Sequence, residues 1–72
     1  MKKIKKIKIK LNGKKSVIDD RVYLDKLLKK LKIQTNKVAI ELNNEIIDKN
    51  KLNLIKIKNN DVIEIVHFIG GG

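Results

Sequence analysis

The sequence has no cysteine among its 72 residues, and this absence excludes disulfides, thiolate metal ligands and thiol nucleophiles together. A chemical group carried by this chain is therefore not attached to a cysteine of its own. The one histidine, His67, stands outside any His-Glu-x-x-His or related metal-binding spacing. We therefore expect no metal site, no bound cofactor and no catalytic set of nucleophile, base and orienting group.

Long apolar runs are also missing. The apolar stretches are far shorter than the roughly 18 residues of a membrane span, and none follows Lys2 and Lys3 as it would in a secretory signal. We expect a cytoplasmic protein without a membrane partner. The length allows one domain, so we assign residues 1–72 to a single domain in which residues 69–72 form a flexible C-terminal tail.

Acidic residues are scarce in the first half of the chain. Residues 1–32 hold thirteen Lys and Arg against three Asp and carry the whole net charge of +10, whereas residues 33–72 are neutral. A basic half can bind nucleic acid or another polyanion. However, arginine occurs only as Arg21, and one Tyr and one Phe leave little for base stacking. We favour solvated lysine faces, and a lysine-rich RNA-binding module is the alternative.

One hairpin and one helix are predicted from the pattern of apolar residues in the first half of the chain. Apolar residues alternate with lysines up to Leu11, Asn12-Gly13 is typical of a type I′ turn, and residues 14–18 return as a strand. A helix is predicted over residues 22–32. Its apolar stripe at i, i+3, i+4 and i+7 consists of Leu24, Leu27, Leu28 and Leu31.

The second half of the chain predicts further short strands. Val38, Ile40 and Leu42 alternate, Asn43-Asn44 is a turn candidate, and residues 45–47 form a short strand beyond it. Residues 48–54 are polar and irregular, with room for one helical turn. Residues 55–57 are a candidate short strand, residues 59–61 a tight turn, and residues 62–68 the last strand.

Glu64 decides which face of the last strand is buried. If Val66 and Phe68 pointed into the core, Glu64 would be buried as an unpaired carboxylate, which costs several kcal/mol or forces protonation. Ile63 and Ile65 should therefore face the helix. Val66 and Phe68 then stand exposed and form a candidate docking patch. The alternative is that Phe68 folds over the edge of the sheet and joins the core.

The sequence closes on three glycines, Gly70, Gly71 and Gly72, which follow this strand directly. Glycine fits a narrow channel, adopts φ and ψ values barred to other residues and leaves the backbone amides accessible. Such a tail is suited to entering the active site of another protein with its terminal carboxylate. The alternative is an ordinary frayed terminus.

The order hairpin, helix, strand, short strands, strand predicts an α+β protein. Only one amphipathic helix is available, so it must cover one face of a mixed sheet in which the first and last strands lie side by side. This arrangement is a β-grasp fold.

This order, the length and the glycine tail resemble the ubiquitin-like sulfur carriers, and in particular the ThiS family of thiamine biosynthesis. The resemblance covers nearly the whole chain and is most specific from Asn60 to Gly72. It departs from the family at Arg21, where a glycine is customary, and at Tyr23, where a threonine is customary at the helix start. These departures weaken a helix cap. They leave the tail unchanged.

The resemblance implies a function for the tail. A ThiF-like adenylating enzyme would use ATP to activate the Gly72 carboxylate, and a persulfide derived from a cysteine desulfurase would convert it to a thiocarboxylate. Thiazole synthase (ThiG-like) would then accept the sulfur. Gly70 and Gly71 would thread the tail into the partner, and Val66, Phe68 and Ile69 would dock it. The chain would be a cosubstrate and not an enzyme.

Other sulfur carriers end in the same way. The MoaD-like small subunit of molybdopterin synthase is the first alternative, and its usually greater length favours the thiamine pathway modestly. Since the partner determines the acceptor, the tail chemistry does not separate the two.

Overall fold

The computed structural model describes residues 5–68. Within this range the chain forms one five-stranded sheet, one α-helix and two short 3₁₀ helices. In chain order the elements are β1 (Lys6–Leu11), β2 (Lys14–Asp19), α1 (Leu24–Lys30), a first 3₁₀ helix (Thr35–Lys37), β3 (Val38–Leu42), β4 (Glu45–Ile46), a second 3₁₀ helix (Lys49–Leu54) and β5 (Val62–His67).

The last strand of the chain is the central strand of the sheet. The strand order is β2-β1-β5-β3-β4, with β5 parallel to β1 and antiparallel to β3. The sheet is therefore mixed, and the first and last strands are neighbours, as the sequence predicts. Its pairing with β1 is limited to Val62 and Ile63, whereas its pairing with β3 continues to His67.

The predicted hairpin and the predicted turn at Asn43-Asn44 both form, and asparagine makes each of them possible. Asn12 and Gly13 have φ values of 50° and 81°, and Asn43 and Asn44 have φ values of 52° and 71°. Positive φ at both central residues is the mark of a type I′ turn, which matches the twist of paired strands. Asn60, in the predicted turn before β5, also has a positive φ of 71°.

The core lies between α1 and one face of the sheet. Its members are all apolar, and no polar or charged residue is buried within residues 5–68. The buried residues are Ile9, Leu24, Leu27, Leu28, Val38, Ile40, Leu52, Ile57, Ile63 and Ile65.

The helix is shorter than the sequence predicts. It begins at Leu24 without a side-chain cap from Tyr23, and it ends at Lys30. Lys32 then adopts a left-handed φ of 59°, and the Ile33 N–H donates to the Leu28 carbonyl at 3.0 Å. This is a Schellman closure with lysine where glycine is usual. As a result the side chain of Leu31 is 41% exposed, and its assignment to the core stripe is wrong.

The predicted strand at residues 55–57 is also wrong. Only an isolated bridge joins Lys56 to Tyr23. The flanking bonds run from the Leu24 N–H to the Ile55 carbonyl at 2.8 Å and from the Ile57 N–H to the Val22 carbonyl at 3.0 Å. The segment therefore holds the entry to α1 and does not extend the sheet. The helical turn allowed in residues 48–54 is present as the second 3₁₀ helix.

None of the helices within residues 5–68 has the length and apolar character needed to cross a membrane.

Replacing Leu28 by alanine tests the packing of α1 on the sheet. Leu28 is almost fully buried, so Leu28→Ala should lower the free energy of unfolding by about 2–5 kcal/mol. Leu31→Ala, the matched control at an exposed position, should change it by less than about 1 kcal/mol. Urea denaturation followed by circular dichroism measures both. If both variants lost the same free energy of unfolding, Leu31 would be packed in the core, and a helix that ends at Lys30 would be contradicted.

Candidate functional site

The orientation of β5 is the one that Glu64 predicts. Ile63 and Ile65 are buried toward α1, whereas Glu64 is exposed and Val66 is 49% exposed. We call the side of the sheet away from α1 the open face. Residues paired directly across two strands share a face, so the register assigns the other strands to it as well.

Phe68 stands outside the core, and this excludes the alternative that it folds over the sheet edge. Its side chain is 60% exposed, and its ring lies 5.2 Å from Nζ of Lys49, a cation–π distance. Its backbone N–H still donates to the Lys37 carbonyl at 3.0 Å, so pairing with the neighbouring segment continues past the end of β5. The chain is therefore held in place up to the point where the tail begins.

Val66 and Phe68, the candidate docking patch, are both exposed. Val66 lies directly opposite Ala39 on β3, whose small side chain leaves the valine accessible. Exposed apolar residues that lie close together are typical of a surface that binds another protein. Ile69 and Gly70, Gly71 and Gly72 lie outside the described residues, so their roles in docking, threading and sulfur attachment stay predictions.

A side chain from the first hairpin holds β5 just before the patch. The β1–β5 ladder ends with Leu11 opposite Ile63. Beyond it, Oδ1 of Asn12 accepts the Ile65 N–H at 2.7 Å, and the Asn12 N–H donates to the Ile63 carbonyl at 2.9 Å. Asn12 thus extends the ladder where β1 has already turned away. The sequence identifies Asn12 as a turn residue only, because a contact across 53 positions leaves no local pattern.

The open face of β1 carries positive charge that stays unpaired. Within residues 5–68 the only salt bridge joins Nε of Arg21 to Oδ1 of Asp19 at 3.4 Å. The Arg21 backbone N–H donates to the same oxygen, and this bond, with the adjacent guanidinium, holds the pKa of Asp19 below its ordinary value. Asp19 is therefore engaged at the far end of β2 and does not neutralise Lys8 or Lys10.

No three His, Cys, Asp or Glu side chains in residues 5–68 lie close enough together to hold a metal ion. His67 is exposed at the end of β5.

Comparison with known proteins agrees with this picture. The ThiS family model matches residues 4–72, almost the entire chain. The chain belongs to the ThiS family. The sulfur carrier protein ThiS of Bacillus subtilis is 38% identical over 65 residues, which are 89% of this chain and 98% of that protein.

A solved structure of the same family confirms the β-grasp fold. The crystal structure of the thiamine biosynthesis protein ThiS from Geobacter metallireducens superposes with a TM-score of 0.80 at 32% identity. The match covers 92% of this chain and 100% of that one. The mixed sheet covered by one main helix is thus shared with a ThiS-family protein.

The ThiS-family segment also occurs inside larger proteins. A thiazole synthase of Magnetococcus marinus is 36% identical over 66 residues, which are 92% of this chain and 20% of that protein. This chain therefore spans about a fifth of the length of the thiazole synthases that it matches.

Substitution of Asn12 tests its hold on β5. Asn12→Gly keeps the left-handed turn but leaves the Ile65 N–H without its partner, which should cost about 1–3 kcal/mol of stability. Asn12→Asp, which keeps an acceptor oxygen, is the matched control. Hydrogen exchange at the Ile65 amide should accelerate in the glycine variant alone. Unchanged protection of that amide would show that the side-chain bond contributes nothing.

Proposed function

We propose that this chain is a sulfur carrier of thiamine biosynthesis and that Gly72 is the residue that carries the sulfur. The observation that supports this most strongly is its membership of the ThiS family, with the match to a sulfur carrier over 98% of that protein. The exposed patch of Val66 and Phe68 at the end of the central strand supports it independently.

The chemistry follows from the low reactivity of a carboxylate. In the proposal, the Gly72 carboxylate attacks the α-phosphorus of ATP, pyrophosphate leaves, and an acyl adenylate results. The terminal sulfur of a persulfide then attacks the acyl carbon and AMP leaves. A second thiol attacks the acyl disulfide and takes the other sulfur into a new disulfide, which releases the thiocarboxylate. All catalytic groups belong to the partners, so the chain acts as a cosubstrate.

The partners follow from these steps. We propose a ThiF-like adenylating enzyme for activation, a cysteine desulfurase as the origin of the persulfide, and a ThiG-like thiazole synthase as the acceptor. The occurrence of a matching segment within proteins called thiazole synthase supports the last of these. The chain itself binds no cofactor in this proposal, since ATP is used by the partner. We place the reaction in the cytoplasm, where ATP is available.

Intact-mass measurement tests the proposal. Incubation with the adenylating enzyme, ATP and a persulfide donor should add the mass difference between sulfur and oxygen. Deletion of Gly72 should abolish the shift, whereas Lys30→Ala, at an exposed position of α1, should retain it. Addition of thiazole synthase should return the mass to its original value. If the mass returns to its original value with the large subunit of molybdopterin synthase instead, the chain belongs to that pathway. If the mass does not shift in any reaction, the sulfur-carrier proposal is overturned.

The docking patch gives a second prediction. Phe68→Ala should raise the KM for the carrier in the adenylation reaction about tenfold, as expected for an aromatic contact worth about 1.4 kcal/mol. Leu31→Ala is the matched control, since Leu31 is 41% exposed but lies at the end of α1, on the opposite side of the sheet from the patch. Its KM should be unchanged. Equal KM values for both variants would remove Phe68 from the interface.

A further inference from the structure

A groove lies on the open face at the opposite end of β5 from the docking patch. It has a volume of about 570 Å³ and is open to solvent. Its apolar part includes Val17, which is 61% exposed, and Val62. Its rim carries three ammonium groups, those of Lys8, Lys10 and Lys15. We call this site the basic groove.

The positive charges of the basic groove have no acidic partners within residues 5–68. Lys10 on β1 lies directly opposite Lys15 on β2, an arrangement in which like charges repel. None of the rim lysines takes part in a salt bridge of the described chain, where the single ion pair is that of Arg21 and Asp19. The groove therefore presents an unneutralised positive potential to a ligand.

The middle of the open face has the opposite sign. Glu41 on β3 lies directly opposite Glu64 on β5, in the middle of the same face. A long polyanion such as RNA, laid along this face from the groove toward the tail, would meet these carboxylates. The groove also contains no aromatic ring on which a base could stack. A short acidic protein segment with one apolar side chain fits better, because its carboxylates can meet the rim lysines while its apolar group covers Val17 and Val62.

The groove and the docking patch are close enough to serve one partner. Val62 and Phe68 are six residues apart along an extended strand, which corresponds to about 20 Å. A protein interface of ordinary size covers about 800 Å² on each partner, a patch wide enough to include both. A partner that receives the tail beside Phe68 therefore lies over the basic groove as well.

We propose that the basic groove docks an acidic segment of the protein that receives the glycine tail. The identity of that protein rests on the proposed function. The segment carries two or more carboxylates around one apolar side chain, and its contact with the three lysines accelerates and orients docking. The groove is then a second contact of the carrier, separate from the apolar patch at Phe68.

The test compares two triple variants of equal net charge. Lys8→Glu/Lys10→Glu/Lys15→Glu reverses the rim of the groove. The control reverses Lys26, Lys30 and Lys51, which lie on the helical layer. Each Lys→Glu change removes two units of charge, so both variants fall from +10 to +4. Circular dichroism and thermal unfolding are measured first, and the corresponding Lys→Gln triples replace any variant that does not fold.

The KM for the carrier in adenylation is the main readout. The groove variant should show a KM raised about 10–100-fold with kcat unchanged, and a KM that depends less on salt than that of the unmodified chain. The control should change KM by no more than about threefold. Equal effects of the two variants would mean that net charge alone matters, and the groove proposal would be overturned. If the unmodified chain forms no adenylate, the proposed function is overturned instead.

A direct binding experiment tests the groove without the enzyme. The peptide Glu-Asp-Leu-Asp-Glu, added to the ¹⁵N-labelled chain, should shift the amide signals of Val17 and Val62 and leave those of α1 in place. The groove variant should lose these shifts. A 20-nucleotide single-stranded RNA is the competing probe. Shifts produced by the RNA and not by the peptide would overturn the proposal in favour of nucleic acid.

Discussion

Burial of Ile63 and Ile65 against the leucines of α1 is the interaction on which the rest of the structure depends. These two side chains lie on one face of β5 and belong to the buried core, while Glu64 between them stays in water. A strand that is buried on one face only can occupy the centre of the sheet, with β1 on one side and β3 on the other. Toward its end, β5 is held by β3 on one side and by the Asn12 side chain on the other.

Local signals explain why so much of this fold is predictable from the sequence. Asn12-Gly13 and Asn43-Asn44 identify hairpins because few residues tolerate positive φ, and Glu64 fixes the face of β5 because a buried unpaired carboxylate is costly. The errors arise where contacts between residues far apart in the sequence determine the local conformation. Lys32 ends α1 in a conformation that its own side chain does not favour, and residues 55–57 alternate like a strand although they pair only with the start of the helix.

One part of the candidate surface is likewise predictable from the sequence, and the other part is not. The exposure of Val66 and Phe68 follows from the alternation in β5, which is visible in the sequence. The basic groove does not follow from any stretch of sequence, because its walls come from β1, β2 and the start of β5, and only their register brings Lys10 beside both Lys15 and Val62. The lysine-rich composition pointed to solvated faces in general. The structure shows that three of these lysines, Lys8, Lys10 and Lys15, line one groove on the open face.

The charge pattern of the open face agrees with the proposal that the chemistry belongs to the partners of this chain. The core contains no polar group, so the folded state does not require any of these charges. Lysine opposite lysine at the groove and glutamate opposite glutamate beside it both disfavour the folded state slightly, and no compensating ion pair lies within the described residues. A glycine tail carries almost no side-chain information, so it cannot by itself distinguish one partner from another. Discrimination must then come from the folded surface, where repulsion of a wrongly charged partner is as effective as attraction of the right one.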